Sequence, residues 1–348
     1  MLRPPLLIVD GRIPTTAIAE RLLRDAYGGC EVRTGEELLG AQVLKRPLFI
    51  SRLCHPRFAW LPEYLHARGV PYVYLLDDHF FALTPDYDRH NGAFFSHPAV
   101  HETLTAFLRG ARAVWLMSEV LAAQLRARLP ELDCRVVPAP VDLALFDACF
   151  ARRAPRPRPP EVWSVGYAST RRPNVAALLT QLVERASARF GPRLRFEFIG
   201  WCPDAIAAHP AVQVFAPIED YARFVQTMLD RHWDVALAPL GDSVFENAKT
   251  NLKYREYAAA RIPGLFSAVP LYANCVRDGE TGLLVGFDPE AWVEALTRLL
   301  ADSALREAIV RQALAEVRAK HAQPVVAQRV RETFADCFAQ TDASSALA

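Results

Sequence analysis

Short apolar runs alternate with amphipathic stretches from the first residues of this 348-residue chain onward. Runs of about four to eight apolar residues bounded by turn residues read as strands, and apolar residues three or four apart read as one face of a helix. In the first part this predicts strands at Leu6 to Val9, Glu31 to Arg33, Leu48 to Ser51, Tyr72 to Leu76, Ala113 to Met117 and Arg135 to Val137. Helical spacing fills the intervals, as in Arg57 to Arg68. Ser118, followed by Glu119, caps a predicted helix whose Leu121, Leu125 and Leu129 share one face and are core positions. Such alternation predicts parallel α/β layering.

The pattern breaks at Ala151 to Glu161, ARRAPRPRPPE, where Pro-rich chain and four arginines replace the periodicity. Nothing aromatic or Gly-rich accompanies those arginines, so the segment reads as a stiff, solvated connector rather than a phosphate site. Beyond it, strands are predicted at Val162 to Val165, Arg195 to Ile199, Val212 to Phe215, Asp234 to Ala238, Gly264 to Ser267 and Gly282 to Val285. Helices begin near Pro173, Glu219, Thr250 and Pro289. The last helix, after Pro324, carries Val326, Val330, Phe334 and Phe338 on one stripe, and the small polar tail Thr341 to Ala348 reads as frayed. The expected organisation is an amino-terminal Rossmann-like domain at 1–150, a linker at 151–161, a second such domain at 162–323 and a terminal helix at 324–340. Two facing doubly wound α/β domains with an interdomain cleft follow, and their ligands would sit at the carboxyl ends of strands.

Composition narrows the function. With 40 basic against 39 acidic side chains the net charge is +1, so charge offers no argument for nucleic acid as a partner. Seven cysteines show no CxxC and no ligand-like spacing, which predicts reduced, mostly buried thiols rather than disulfides or zinc. No stretch reaches the length of a membrane span or signal segment. The expectation is a cytoplasmic, soluble protein with room for peripheral contact at a membrane surface.

The segment Trp233 to Pro263, WDVALAPLGDSVFENAKTNLKYREYAAARIP, concentrates the candidate chemistry. It reads strand, polar loop, then a helix capped by Thr250 or Asn251. A helix amino terminus flanked by Lys249 and Lys253 suits a diphosphate. Glu256, three residues after Lys253, would accept two hydrogen bonds from a vicinal diol such as ribose. Taken alone, a surface ion pair between Lys253 and Glu256 on a capped helix explains the same residues.

The wider pattern shifts that balance. Ala238-Pro239-Leu240, Phe245 and Lys249 to Pro263 together resemble the retaining glycosyltransferases of family 4 (group 1), in particular a bacterial branch associated with surface polysaccharide assembly. DGETGLLV at Asp278 to Val285, VPAPVDLALF at Val137 to Phe146, ISR at Ile50 to Arg52, YLLDDHF at Tyr74 to Phe80 and VGYASTRRPN at Val165 to Asn174 extend the resemblance over most of the chain. It implies the GT-B architecture, with a nucleotide-sugar donor on the carboxyl-terminal domain and a glycan or lipid-linked acceptor on the amino-terminal one. It also implies transfer with retention, no cofactor, and a terminal helix that crosses back to the first domain.

Two positions depart from the family. Ala248 stands where many members carry a Glu near the transferred sugar, leaving Glu246 or Asn247 as substitutes, and Arg261 replaces the Gly of AALGIP. On the donor side Gly166 would admit backbone close to ligand, and Arg171 or Arg172 would contact the diphosphate. Lys249, an arginine at 171 or 172 and the helix terminus would stabilise the leaving group. Asp77 with Arg52 beside it would orient the acceptor hydroxyl, with Asp78 and His79 as further acceptor-side candidates; one alternative has Asp78 only capping the next turn, and another reads both aspartates as structural turn residues. A divalent ion on Asp77 and Asp78 is not favoured, because lysines and arginines already supply positive charge, and the spacing of His55, His79, His90, His97 and His101 matches no metal pattern. The competing functions are a nucleotide-sugar epimerase and a degenerate GT-B partner subunit.

Overall fold

The computed structural model describes residues 4–11, 13–38, 46–156 and 158–338. The chain divides into two compact units. The first holds Met1–Pro140, Ser243–Thr250 and Gln323–Ala348, and the second holds Val141–Asp242 and Asn251–Ala322.

The first unit is built on a parallel sheet of β1 (Leu6–Val9), β2 (Glu31–Thr34), β3 (Leu48–Ser51), β4 (Tyr72–Leu76), β5 (Ala113–Leu116) and β6 (Cys134–Val136), in the order β2-β1-β3-β4-β5-β6. Leu6 pairs with Leu48 and Leu48 with Tyr72, so alternate residues of neighbouring strands share a face. Leu6, Ile8, Ile50 and Tyr74 pack on Leu104 and Phe107 of the helix Pro98–Gly110 and on Leu121 and Leu125 of the helix Glu119–Arg128. The latter starts as predicted, with Ser118 accepting from the Leu121 N–H. On the other face, Leu7, Val9, Phe49 and Leu75 meet Ala19, Leu22 and Leu23 of the helix Pro14–Tyr27. Val326, Val330 and Phe334 close the same cluster, and Phe338 of the short helix Ala335–Phe338 joins them. The tail expected to fray, Thr341 to Ala348, lies outside the described residues.

The second unit repeats the design with β7 (Trp163–Ser169), β8 (Leu194–Gly200), β9 (Val212–Phe215), β10 (Val235–Ala238), β11 (Gly264–Ser267) and β12 (Leu283–Val285), ordered β12-β11-β10-β7-β8-β9 and parallel throughout. Its two faces bury Val165, Leu237 and Leu265 against the helix Pro289–Ala301, and Ala236, Ala238 and Phe266 against Tyr254 and Tyr257.

Three local expectations change. The Pro- and Arg-rich segment is not uniformly solvated: Arg158 is buried, with its guanidinium donating to the Arg231 and His232 carbonyls and to Asp234. Five guanidinium N–H donors let one side chain tie a loop to several acceptors, which composition alone does not reveal. β7 runs four residues past Val165, so Gly166 lies inside the strand rather than after it. Arg261 keeps the left-handed backbone that a glycine would take, with φ 60°. Its guanidinium lies 3.6 Å from the Phe150 ring centre and 2.9 Å from Asp147, contacts that offset the strain of that conformation.

Candidate functional site

In the first unit the chain runs from β1 to β2 on one side and returns to β3 on the other, so the strand order reverses between β1 and β3. Ligands of such sheets bind where the order reverses, at the carboxyl ends of the strands. Arg52 follows β3 there in a left-handed conformation, φ 60°, with its N–H donating to the Leu75 carbonyl. Its guanidinium donates to Asp77 Oδ1 at 2.5 Å, while Thr15 Oγ1 donates to Asp77 Oδ2 at 2.5 Å. Thr15 is the second residue of the helix after β1. Burial and then Asp78 raise the Asp77 pKa, against the opposing pull of Arg52 and Thr15.

Asp78 joins the same cluster. Lys249 Nζ donates to Asp78 Oδ1 at 3.3 Å, and Arg52 Nη1 stands 3.8 Å from its other oxygen. The Lys249 ammonium also lies 4.1 Å from the Phe245 ring centre and 5.7 Å from that of Tyr87. Lys249 therefore joins Arg52, Asp77 and Asp78 in one cluster of the first unit. Thr250 also falls in that unit, whereas Asn251, Lys253 and Glu256 belong to the second. His79 is buried, with its pKa pushed down to about 4 by burial, and packs edge-on to Phe81.

The short helix Val244–Asn247 starts at Ser243, which accepts from the Glu246 N–H and donates to the Glu246 carboxylate at 2.9 Å. Glu246 and Asn247 are both buried, and Ala248 is fully buried in the apolar cluster around Leu6 and Tyr74.

In the second unit the order reverses between β7 and β10. Arg171, exposed, and Arg172, half-buried, follow the end of β7. Gly166 packs closely on a neighbour: a Cβ there would come within 1.7 Å of the Trp233 ring. The helix Leu252–Ala259 begins after Asn251, whose side chain accepts from Arg255 Nε at 2.9 Å and makes no capping bond. Arg255 is buried and its pKa is lowered to about 10 by that burial.

Glu256 is 2% exposed, so its pairing with Lys253 is not a surface one. Lys253 Nζ donates to Oε2 at 2.9 Å and Tyr221 Oη donates to Oε1 at 3.2 Å. Tyr221 opens the helix Tyr221–Asp230, and neither it nor Thr15 carries a motif that singles it out in the sequence. Among the described residues no group of His, Cys, Asp and Glu side chains is placed to hold a metal ion.

Residues 159–302 match the family model of the glycosyl transferases group 1. The matched segment is a glycosyl transferase domain. It contains β7 to β12 together with Lys253 and Glu256. Among solved structures, sucrose-phosphate synthase from Thermosynechococcus elongatus aligns with a TM-score of 0.72 at 16% identity, covering 97% of this chain and 100% of that one. HepE from Anabaena, in complex with UDP, aligns with a TM-score of 0.67 at 14% identity over 96% and 100% of the two chains. A UDP-forming α,α-trehalose-phosphate synthase from Burkholderia vietnamiensis gives 0.62 at 16% identity over 96% and 79%. No curated protein matches the chain. The fold is that of the GT-B glycosyltransferases, and the glycosyl transferase domain makes the chain an enzyme of that class. No helix among the described residues is long and apolar enough to cross a membrane.

Proposed function

We propose that the chain moves a sugar from a nucleotide-sugar donor to a glycan, lipid-linked or other acceptor, with retention of anomeric configuration and without a metal ion. The observation that carries this reading is Glu256, a buried carboxylate inside the glycosyl transferase domain. Its two oxygens offer about four acceptor sites, and among the described residues Tyr221 and Lys253 fill one on each. The two sites left over match the two hydroxyls of a ribose. Similar structures hold UDP or UDP-glucose, which makes a uridine nucleotide the first donor to test.

Lys249 and an arginine at 171 or 172 would meet the charge that develops on the leaving diphosphate. Asp77, fixed by Arg52 and Thr15, would orient the acceptor hydroxyl. Arg52 and Lys249 already compensate the charge of Asp77 and Asp78, which supports a reaction in which those carboxylates hold no metal ion. We place the reaction in the cytoplasm, with contact at a membrane surface if the acceptor is lipid-linked.

The test is a thermal-shift panel of UDP, GDP, ADP and their sugars, followed by product analysis of the responding donor with candidate acceptors in the presence of a chelator. Release of nucleoside diphosphate only with acceptor, unaffected by the chelator, supports the reading. An isomerised donor without acceptor overturns it in favour of an epimerase, and activity restored only by magnesium or manganese overturns its metal-free part.

A further inference from the structure

Tyr221 combines two features that a core tyrosine does not. The residue is 42% exposed, yet its hydroxyl end is sunk into the protein and hydrogen-bonded to the buried Glu256. Burial and the neighbouring carboxylate raise the phenol pKa, so the hydroxyl stays protonated and donates. Lys253 holds the other oxygen of Glu256, and its ammonium lies 5.7 Å from the ring centre of Phe224, which stacks on Tyr221. One donor on each oxygen fixes the plane of the carboxylate and leaves one acceptor site per oxygen directed elsewhere.

We propose that Tyr221 is a positioning residue for recognition of a nucleoside diphosphate: its hydroxyl orients Glu256 toward a vicinal diol. This rests on the donor reading of Glu256 given above. An isolated carboxylate rotates about its last bond, and two fixed donors remove that freedom before the ligand arrives, so less order is lost on binding. The signature of such a role is a coupling between the Tyr221 hydroxyl and the sugar 2′-hydroxyl, which a merely structural tyrosine does not have.

The experiment measures dissociation constants for UDP, GDP, ADP and their 2′-deoxy counterparts by titration calorimetry, on the wild-type full chain and on Tyr221→Phe. The wild type is expected to prefer the ribonucleotide, and in Tyr221→Phe that preference is expected to shrink by about tenfold, the effect of one hydrogen bond to a charged group. Tyr221→Leu, which also removes the ring, should show the same collapse of preference. A ribo-to-deoxy ratio unchanged in Tyr221→Phe overturns the proposal, as does tighter ribonucleotide binding, which would make the hydroxyl a competitor of the ribose. If the wild type binds none of the six nucleotides, the donor reading itself falls.

Discussion

Replacing Glu256 with Gln separates diol recognition from a purely structural role. The substitution keeps size and shape but turns one acceptor oxygen into an NH2 that only donates. Tyr221 can keep its bond to the remaining oxygen, whereas Lys253 loses its partner. The Lys253 side chain is 23% exposed and can turn its ammonium to water. The cost to folding is therefore that of one partly exposed ion pair, about 1 kcal/mol. A bound diol fares worse, because one hydrogen bond disappears and the other loses its charge. That costs about 1.5–3 kcal/mol, or roughly 10- to 100-fold in the dissociation constant. Calorimetric titration with the best-binding nucleoside diphosphate, beside chemical denaturation of the same protein, reads both numbers. Inorganic pyrophosphate, which has no ribose, should bind both proteins alike. Nucleotide affinity within about twofold of wild type would refute the argument, and so would an equal loss for pyrophosphate.

Lys249→Ala is expected to lower kcat by about 100-fold with a smaller rise in donor KM, since leaving-group charge is greatest in the transition state; steady-state kinetics with unchanged kcat would remove Lys249 from that role. Asp77→Asn should retain donor affinity in titration but transfer about 100-fold more slowly, and full transfer would return the residue to structure. The raised Asp77 pKa means its support for folding is complete below the ordinary carboxylate range and is lost as pH rises through the raised value, so denaturation followed upward from that range should show wild type losing more stability than Asp77→Asn. Gly166→Ala drives a methyl into Trp233 and is expected to cost about 3 kcal/mol or more by urea denaturation; a change within about 0.5 kcal/mol would contradict the packing role assigned to that glycine.

The strands are legible in the sequence because a parallel sheet covered on both faces needs unbroken apolar runs, as in Leu6–Val9 and Tyr72–Leu76. Helix starts are legible where a side chain caps locally, as Ser118 and Asp288 do. What stays hidden depends on partners far away along the chain. Thr15 reaches Asp77 across 62 residues, Tyr221 reaches Glu256 across 35, and Lys249 reaches Asp78 across 171. Arg158 looks like a solvated linker residue until Asp234 and two carbonyls some 70 positions on are seen to bind it. Arg261 breaks a glycine pattern without breaking the turn, because a ring and a carboxylate from another helix hold it. Motif reading found Lys249 and Glu256 by their surroundings in sequence, but it could not say that the first would sit among aspartates and the second would be buried.

The helix Gln323–Thr333 carries a consequence for synthesis. Its Val326 and Val330 complete a cluster begun by Ala19, Leu22 and Leu23, and Gln323 hydrogen-bonds Asp25 from 298 residues away. At a ribosomal rate of about 5–20 residues per second, the first helix waits roughly 15 to 60 seconds for the residues that cover it. During that interval one face of the first sheet has its strands and its own helix but not its last layer. Such a nascent chain presents an apolar surface to whatever binds unfinished proteins. A truncated product that stops before Gln323 would keep that surface permanently, marking it for capture or degradation even though its strands are all in place.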